Sequence, residues 1–89
     1  MDMNKVLRRY VQYLKLEKNY SNNTCDAYIA DLNKFLDYIN TVDLAVEEVK
    51  LEDMHNFSSA VMDLGVHPAS LSRILSGVRS FYRFLLLSD

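Results

Sequence analysis

Breaks in regular structure are scarce along this chain, because its 89 residues contain only two glycines and one proline. Folds made of many short strands need more turn-forming residues than this, whereas long helices joined by a few turns do not. The chain has the length of one domain, and at this size about 60–65% of the unfolded surface is buried on folding. The sequence therefore predicts a single all-α domain in which nearly every apolar helix face is used.

Apolar residues recur with the 3.6-residue period of an α-helix in four segments. The first helix is predicted over about Asn4–Glu17. The second is capped by Ser21 and ends near Asn40, the third covers about Leu51–Asp63, and the fourth begins at Pro68. Ser caps the first turn of a helix well, and Pro fits its first position. The pattern predicts a compact four-helix bundle.

The third helix and the connection before it are expected to complete the core. Gly65 suits a left-handed stop after this helix. The apolar residues predicted to be buried here are Leu44, Val46 and Val49 in the connection, and Met54, Phe57, Val61 and Leu64 on the helix.

Charge is unevenly distributed, although the formal net charge is only −2. Six acids fall between Asp43 and Asp63 against Lys50 alone, a local charge of −5, whereas the rest of the chain carries nine bases and six acids. Between Leu64 and Ser88 there is no acid, and three arginines lie there. Such segregation can produce one positive surface on an acidic protein, although a solvated helix face without a ligand is the commoner origin.

The polar face of the fourth helix predicts a ligand surface. At about 100° per residue, its polar side chains fall within an arc of about 120° opposite the apolar stripe. Short hydroxyls between arginines let a helix approach a duplex closely, and guanidinium groups bind phosphates or the O6 and N7 atoms of guanine. Gly77, beside this face, favours either such an approach or close packing against another helix. The face comprises Ser72, Arg73, Ser76, Arg79, Ser80 and Arg83.

A second polar cluster opens the second helix. Asn22, Asn23 and Thr24 follow the Ser21 cap, and Lys18 lies just before it. Short polar donors at the positive end of a helix dipole suit contact with a phosphate, whereas Ser21 alone is explained by ordinary capping. Lys18, Asn22, Asn23 and Thr24 are therefore predicted to extend the ligand surface.

Catalytic and metal-binding patterns are missing from the sequence. His55 and His67 lie far apart without ligand-spaced partners, and Cys25 lies on an apolar stripe as a small hydrophobe. There is no glycine-rich phosphate loop, no apolar stretch long enough to span a membrane and no signal peptide in the first residues. We therefore expect a cytoplasmic chain with no catalytic residue, metal or cofactor of its own.

Two stretches resemble segments of Xer-type tyrosine recombinases and phage integrases. The stretch LEKNYSNNT at 16–24, continued by Tyr28, Asp31 and Leu32, is similar to the family signature LEKNLSxxTxxxYxxDL. The stretch SRILSGVRSFYRFL at 72–85 is similar to the family segment RxLSxxRxFYxFL. Their order and separation also agree, so the resemblance covers almost the whole chain. It points to the N-terminal SAM-like, or core-binding, domain of that family.

The resemblance implies a four-helix SAM-like domain, spanning residues 1–89, that closes one side of a C-shaped clamp around double-stranded DNA. It implies that the second and fourth helices cross the major groove, which assigns DNA contact to the two polar clusters described above. The catalytic arginines, histidine, lysine and tyrosine of the family belong to a second domain, so this chain alone would be no enzyme. Other recombinase protomers on the recombination site are the further partners that the resemblance implies.

A helical protein-interaction module is the alternative, in which the arginine face would dock an acidic partner. A helix-turn-helix repressor fits less well, because about ten residues separate the second and third helices. We also expect Asp31 to pair with Arg79, since both lie at the border between apolar stripe and polar face. Pro68 follows His67 where relatives place Ser or Thr, which predicts a weaker cap for the fourth helix.

Overall fold

The structure is a computed structural model and describes residues 2–87. It contains the four α-helices α1 (Met3–Leu16), α2 (Asn22–Thr41), α3 (Leu51–Asp63) and α4 (Pro68–Leu87). A short 3₁₀ helix (Val46–Glu48), which the sequence pattern did not predict, lies between α2 and α3. The predicted all-α four-helix bundle is confirmed, and the predicted helix bounds lie within one residue of the observed ones.

Side-chain contacts fix where α2 and α3 begin, and a backbone conformation marks where α3 ends. The Thr24 N–H donates to Oγ of Ser21 at 3.2 Å, and the Lys50 N–H donates to Oδ2 of Asp53 at 2.8 Å. These contacts satisfy amides at the start of each helix that have no acceptor within the helix. After α3, Gly65 adopts a φ of +87°, the left-handed conformation predicted for it.

His67 caps α4 in place of the usual Ser or Thr. Its carbonyl accepts from the Leu71 N–H at 3.0 Å, and its ring Nδ1 accepts from the Ala69 N–H at 3.0 Å. The imidazole nitrogen thus takes the part of a capping oxygen, while Pro68 occupies the first helical position, where no N–H is needed.

Aromatic side chains fill the centre of the bundle. Tyr10 packs edge-to-face on Phe81 and Phe35 packs edge-to-face on Phe57, both with ring centroids 5.2 Å apart. Such pairs add about 0.5–1.5 kcal/mol to the effect of burial. The Tyr82 hydroxyl donates to the Val46 carbonyl at 2.7 Å, so α4 also holds the connection between α2 and α3.

One core prediction is wrong. Leu64 was expected to be buried with the rest of the α3 stripe but is 83% exposed. The helix ends at Asp63, and Leu64 is the cap residue where the chain turns towards Gly65, so no neighbouring helix covers it. Phe84 of α4 is buried, because the aromatic rings of Tyr10 and Tyr13 lie against it.

The packing order sets which surface of α4 remains open. The most extensive helix contact is between α2 and α4, and α3 packs against a different flank of α4. Tyr10 lies against Phe81 and Tyr13 against Phe84, so α1 runs parallel to the second half of α4. The face of α4 left between these neighbours carries the polar side chains predicted as a ligand surface, apart from Ser80, which contacts Tyr10 of α1.

Candidate nucleic-acid interface

A cleft of ≈ 330 Å³ separates the first half of α2 from the middle of α4. Of the predicted site residues, it brings together Asn23 and Thr24 from α2 with Arg73 and Ser76 from α4. Parts of the two clusters, about 50 positions apart in the sequence, therefore meet at one surface.

Close packing of the two helices forms the floor of this cleft. Gly77 is buried, and a Cβ placed on it would lie 3.9 Å from Cβ of Asp31. Of the two explanations that the sequence left for Gly77, this contact matches packing against another helix. The distance is an ordinary van der Waals contact, so an alanine would also fit.

Asp31 pairs with Arg73 and not with Arg79, so the predicted pair is corrected. The Arg73 Nε donates to Oδ2 of Asp31 at 2.9 Å, and Nη2 donates to Oδ1 at 3.1 Å. Six residues of helix rotate a side chain by about 600°, so Arg73 and Arg79 point about 120° apart. α2 packs on the Arg73 flank of α4, which leaves Arg79 out of reach of Asp31.

Arg79 lies on the opposite flank, beside α3. It lines a second cleft of ≈ 540 Å³ with mainly apolar neighbours, among them Met54, Leu75 and Tyr82. Arg83 lies one turn further along α4 and is exposed, as is Ser72 near its start. The predicted arginines therefore cover three parts of the α4 surface, and only Arg73 faces the cleft with α2.

Ser80 is engaged in the packing of α1. The hydroxyl of Tyr10 donates to its Oγ at 3.0 Å, and Ser80 is half-buried. Burial raises the pKa of Tyr10 above its ordinary value, so the hydroxyl stays a donor. Ser80 was predicted among the exposed contact residues, but it lies at the edge of the polar face and holds α1 to α4.

The start of α2 presents exposed polar side chains, although they point in different directions. Asn23 faces the cleft, whereas Asn22 is exposed outside its lining. Thr24 is half-buried and accepts a hydrogen bond from the Ser21 hydroxyl at 3.0 Å. Lys18 places its ammonium 5.9 Å from the ring centroid of Tyr13, at the turn that precedes α2.

A pair of tyrosines supports the α2 wall of the cleft. Tyr28 lines the cleft and its hydroxyl lies 3.5 Å from that of Tyr20. The hydrogen bond with Tyr20 and then burial raise the pKa of Tyr28 to about 12, so this phenol is neutral at ordinary pH.

Lys34 belongs to the same surface and was not predicted. Its ammonium lies 3.6 Å from Oδ1 of Asp31, and its side chain is 56% exposed. Its position three residues after Asp31 could have predicted this placement, because residues so spaced share a helix face. Four further bases, Lys5, Arg8, Arg9 and Lys15, are exposed on α1, away from the cleft.

Within residues 2–87, no helix is both long enough and apolar enough to cross a membrane. The same part of the chain contains no group of three His, Cys, Asp or Glu side chains arranged to hold a metal ion.

Comparison with known proteins identifies the family. The sequence profile described as phage integrase, N-terminal SAM-like domain, matches residues 7–88. The chain is 34% identical over 82 residues to tyrosine recombinase XerD of Chlorobaculum tepidum, covering 92% of this chain and 27% of that protein. It is 34% identical over 88 residues to tyrosine recombinase XerC of Leptospira interrogans, covering 98% of this chain and 28% of that protein.

A third relative, tyrosine recombinase XerD of Staphylococcus epidermidis, is 32% identical over 85 residues, which are 94% of this chain and 29% of that protein. The chain thus spans less than a third of the length of these curated relatives. No solved structure was found to match it. With a family match over nearly its whole length, the chain belongs to the phage integrase N-terminal SAM-like domain family.

Proposed function

We propose that this chain binds double-stranded DNA as the N-terminal domain of a tyrosine recombinase, with the start of α2 and the exposed face of α4 against the duplex. The observation that carries the proposal is the cleft between α2 and α4, where Asn23, Thr24, Arg73 and Ser76 converge. The names of the relatives, all tyrosine recombinases, support the same function.

The side chains at this surface suit the contacts that a duplex offers. Arg79 and Arg83 are further exposed cations on α4, and Lys18 and Lys34 are exposed cations before and on α2. Arginines, lysines and helix N-termini supply most contacts to DNA phosphates, and these contacts position a protein on the duplex. The polar side chains between these cations are short, so both helices can approach the DNA backbone. They are those of Asn22, Asn23, Thr24, Ser72 and Ser76. Ser80 would contribute to DNA binding indirectly, because its hydrogen bond with Tyr10 holds α4 against α1.

The proposal assigns residues 1–89 to one domain that holds one side of the recombination site. Strand cleavage and exchange would belong to the rest of the full recombinase, and other protomers on the same site would be its protein partners. With few basic side chains on the proposed face, the 89-residue chain alone should bind weakly, roughly in the 10⁻⁴–10⁻⁶ M range of nonspecific contacts.

Fluorescence anisotropy with a labelled duplex tests this function. Binding should weaken linearly with the logarithm of salt concentration, with a slope near −0.9 per phosphate contact. Ser76→Glu should abolish binding, because it places a carboxylate in the cleft beside Arg73. Ser59→Glu, which adds the same charge on the exposed side of α3, should bind like wild type.

Two results would contradict the proposal. The first is wild-type protein that does not bind the duplex even at low salt, which would favour an acidic protein as the partner of the arginine face. The second is equal weakening by Ser76→Glu and Ser59→Glu, which would mean that only overall charge matters.

A further inference from the structure

Arg73 differs from the other arginines of α4 in the way it is held. Its Nε and Nη2 donate to the two oxygens of Asp31, at 2.9 and 3.1 Å, so one edge of the planar guanidinium is fixed. The Asp31 side chain is 5% exposed, whereas that of Arg73 is 60% exposed. The carboxylate therefore acts as a buried support that aims an exposed guanidinium.

The free edge of this guanidinium has the geometry of a two-point donor. A guanidinium has five N–H groups, and a two-point contact with a carboxylate through Nε and Nη2 leaves one N–H on each Nη side by side. Such an edge can donate to two neighbouring acceptors, such as O6 and N7 of guanine in the major groove. Because Asp31 fixes the plane, little rotational freedom remains to be lost on binding.

The surrounding charges favour a neutral acceptor over a phosphate at this place. The carboxylate of Asp31 offsets the charge of Arg73 and would repel a phosphate brought to the same guanidinium. Lys34 also contacts Asp31, at 3.6 Å, and leaves the three groups with one net positive charge, carried by an exposed ammonium at the rim. In residues 2–87 neither Arg79 nor Arg83 forms an ion pair with an acid, so both present full charge to solvent.

The walls of the cleft leave room for a base edge. Asn23, Thr24 and Ser76 are short, and Gly77 contributes no side chain to the floor. A helix that reads base edges must bring its backbone close to the groove, and short neighbours around one long arginine permit this.

We propose that Arg73, held by Asp31, reads the O6 and N7 acceptors of a guanine, and that the other exposed cations of this face contact phosphates. Asp31 is then a positioning residue for base recognition. This inference rests on the proposed DNA-binding function and adds to it the class of group that one side chain recognises.

The test compares a short GC-rich duplex with the same duplex in which 7-deazaguanine replaces every guanine. The replacement removes the N7 acceptor and preserves charge and base pairing. Wild-type protein should bind the unmodified duplex roughly fivefold or more tightly than the modified one, because the two-point base contact loses one of its two acceptors. Arg73→Gln removes both the charge and the two-point donor edge, so it should bind both duplexes equally. Arg83→Gln removes the same charge from a cation proposed to contact phosphate, so it should weaken binding to both duplexes by the same factor and keep the wild-type discrimination.

The salt dependence of Arg73→Ala and the duplex discrimination of Asp31→Ala provide two further readouts. Arg73→Ala should leave the slope of log affinity against log salt unchanged. Asp31→Ala should reduce the discrimination between the duplexes, and thermal melting of the same sample verifies that it is folded. If the Asp31→Ala protein is not folded, Arg73→Gln carries the test alone.

The outcomes separate this inference from the function on which it rests. Wild-type protein that binds neither duplex contradicts the DNA-binding function itself. Wild-type protein that binds both duplexes equally, or Arg73→Gln that still discriminates, overturns only the reading of guanine. A salt slope that falls by about one in Arg73→Ala would also overturn it, by assigning Arg73 to a phosphate.

Discussion

The carboxylate of Asp31 and the guanidinium of Arg73 meet across the contact between α2 and α4 through two hydrogen bonds, 2.9 and 3.1 Å long. The two side chains differ in exposure, since only that of Asp31 is buried. Loss of Arg73 would leave a buried carboxylate with Lys34 as its remaining cation, whereas loss of Asp31 leaves an arginine that water can solvate. The pair therefore links the stability of the α2–α4 contact to the direction of Arg73.

This pairing predicts energetic coupling between the two residues. In a double-mutant cycle on the free energy of unfolding, Asp31→Asn and Arg73→Gln should be coupled by about 1 kcal/mol. Asp31→Asn combined with Arg79→Gln is the control and should be additive, because Arg79 lies on the α3 flank. Additive effects for the first pair, measured by denaturant unfolding, would show that the contact does not form in solution.

Substitution by alanine should have opposite effects on stability at the two glycines. Gly77→Ala should stabilise the domain by about 0.5–1 kcal/mol, because the helical backbone gains propensity and the Cβ meets Asp31 at an ordinary 3.9 Å. Gly65→Ala should destabilise it by about 1 kcal/mol, since its φ of +87° strains any residue with a Cβ. Thermal melting of both variants checks this pair, and a loss of stability in Gly77→Ala would mean that the helices pack more closely than described.

The cap of α4 predicts a measurable role for His67. His67→Ala should lower the free energy of unfolding by about 0.5–1 kcal/mol, because the Ala69 N–H loses its acceptor, whereas His67→Ser should restore it. Chemical denaturation at neutral pH measures the difference. Identical stability of all three proteins would argue against capping by the imidazole.

Tyr82 predicts a loss of stability in alkali. Burial, and then the charge of Glu47, raise the pKa of Tyr82 to about 12, against an ordinary value of 10.0. Folding therefore favours the neutral phenol, so its contribution is complete below pH 10 and is lost as the pH rises towards about 12. Tyr82→Phe should be less stable at neutral pH, by about 1 kcal/mol, because the Val46 carbonyl loses its donor. Denaturant unfolding at several pH values measures the difference: above pH 10 the free energy of unfolding should fall less steeply for Tyr82→Phe than for wild type. An equally steep fall in both proteins would contradict the raised pKa of Tyr82.

Local signals accounted for most of the fold. Ser21, Gly65 and Pro68 mark helix ends through interactions with their nearest neighbours, so the sequence was sufficient to place these ends. Leu64 was wrongly predicted because its burial depends on whether another helix covers the end of α3. The 3₁₀ helix between α2 and α3 is held by distant contacts such as that of Val46 with Tyr82, which periodicity does not reveal.

The candidate site could be predicted only in part from the sequence, because its contacts also depend on how the helices pack. A helical wheel shows that Arg73, Ser76 and Arg79 lie outside the core stripe. It does not show which flank of α4 receives α2 and which receives α3, and this decides that Asp31 meets Arg73. Likewise, Ser80 has the same local appearance as Ser76, but only Ser80 receives the hydroxyl of Tyr10.

The most direct test of the DNA-binding surface compares two arginines that carry the same charge on different helices. Arg83 lies on the exposed face of α4, and Arg8 lies on α1, outside the cleft. In titrations of a labelled duplex over a range of salt concentrations, Arg83→Ala should weaken binding and lower the magnitude of the salt slope by about one. Arg8→Ala should leave both unchanged. Equal effects of the two substitutions, or an effect of Arg8→Ala alone, would contradict the assignment of the DNA surface to α2 and α4.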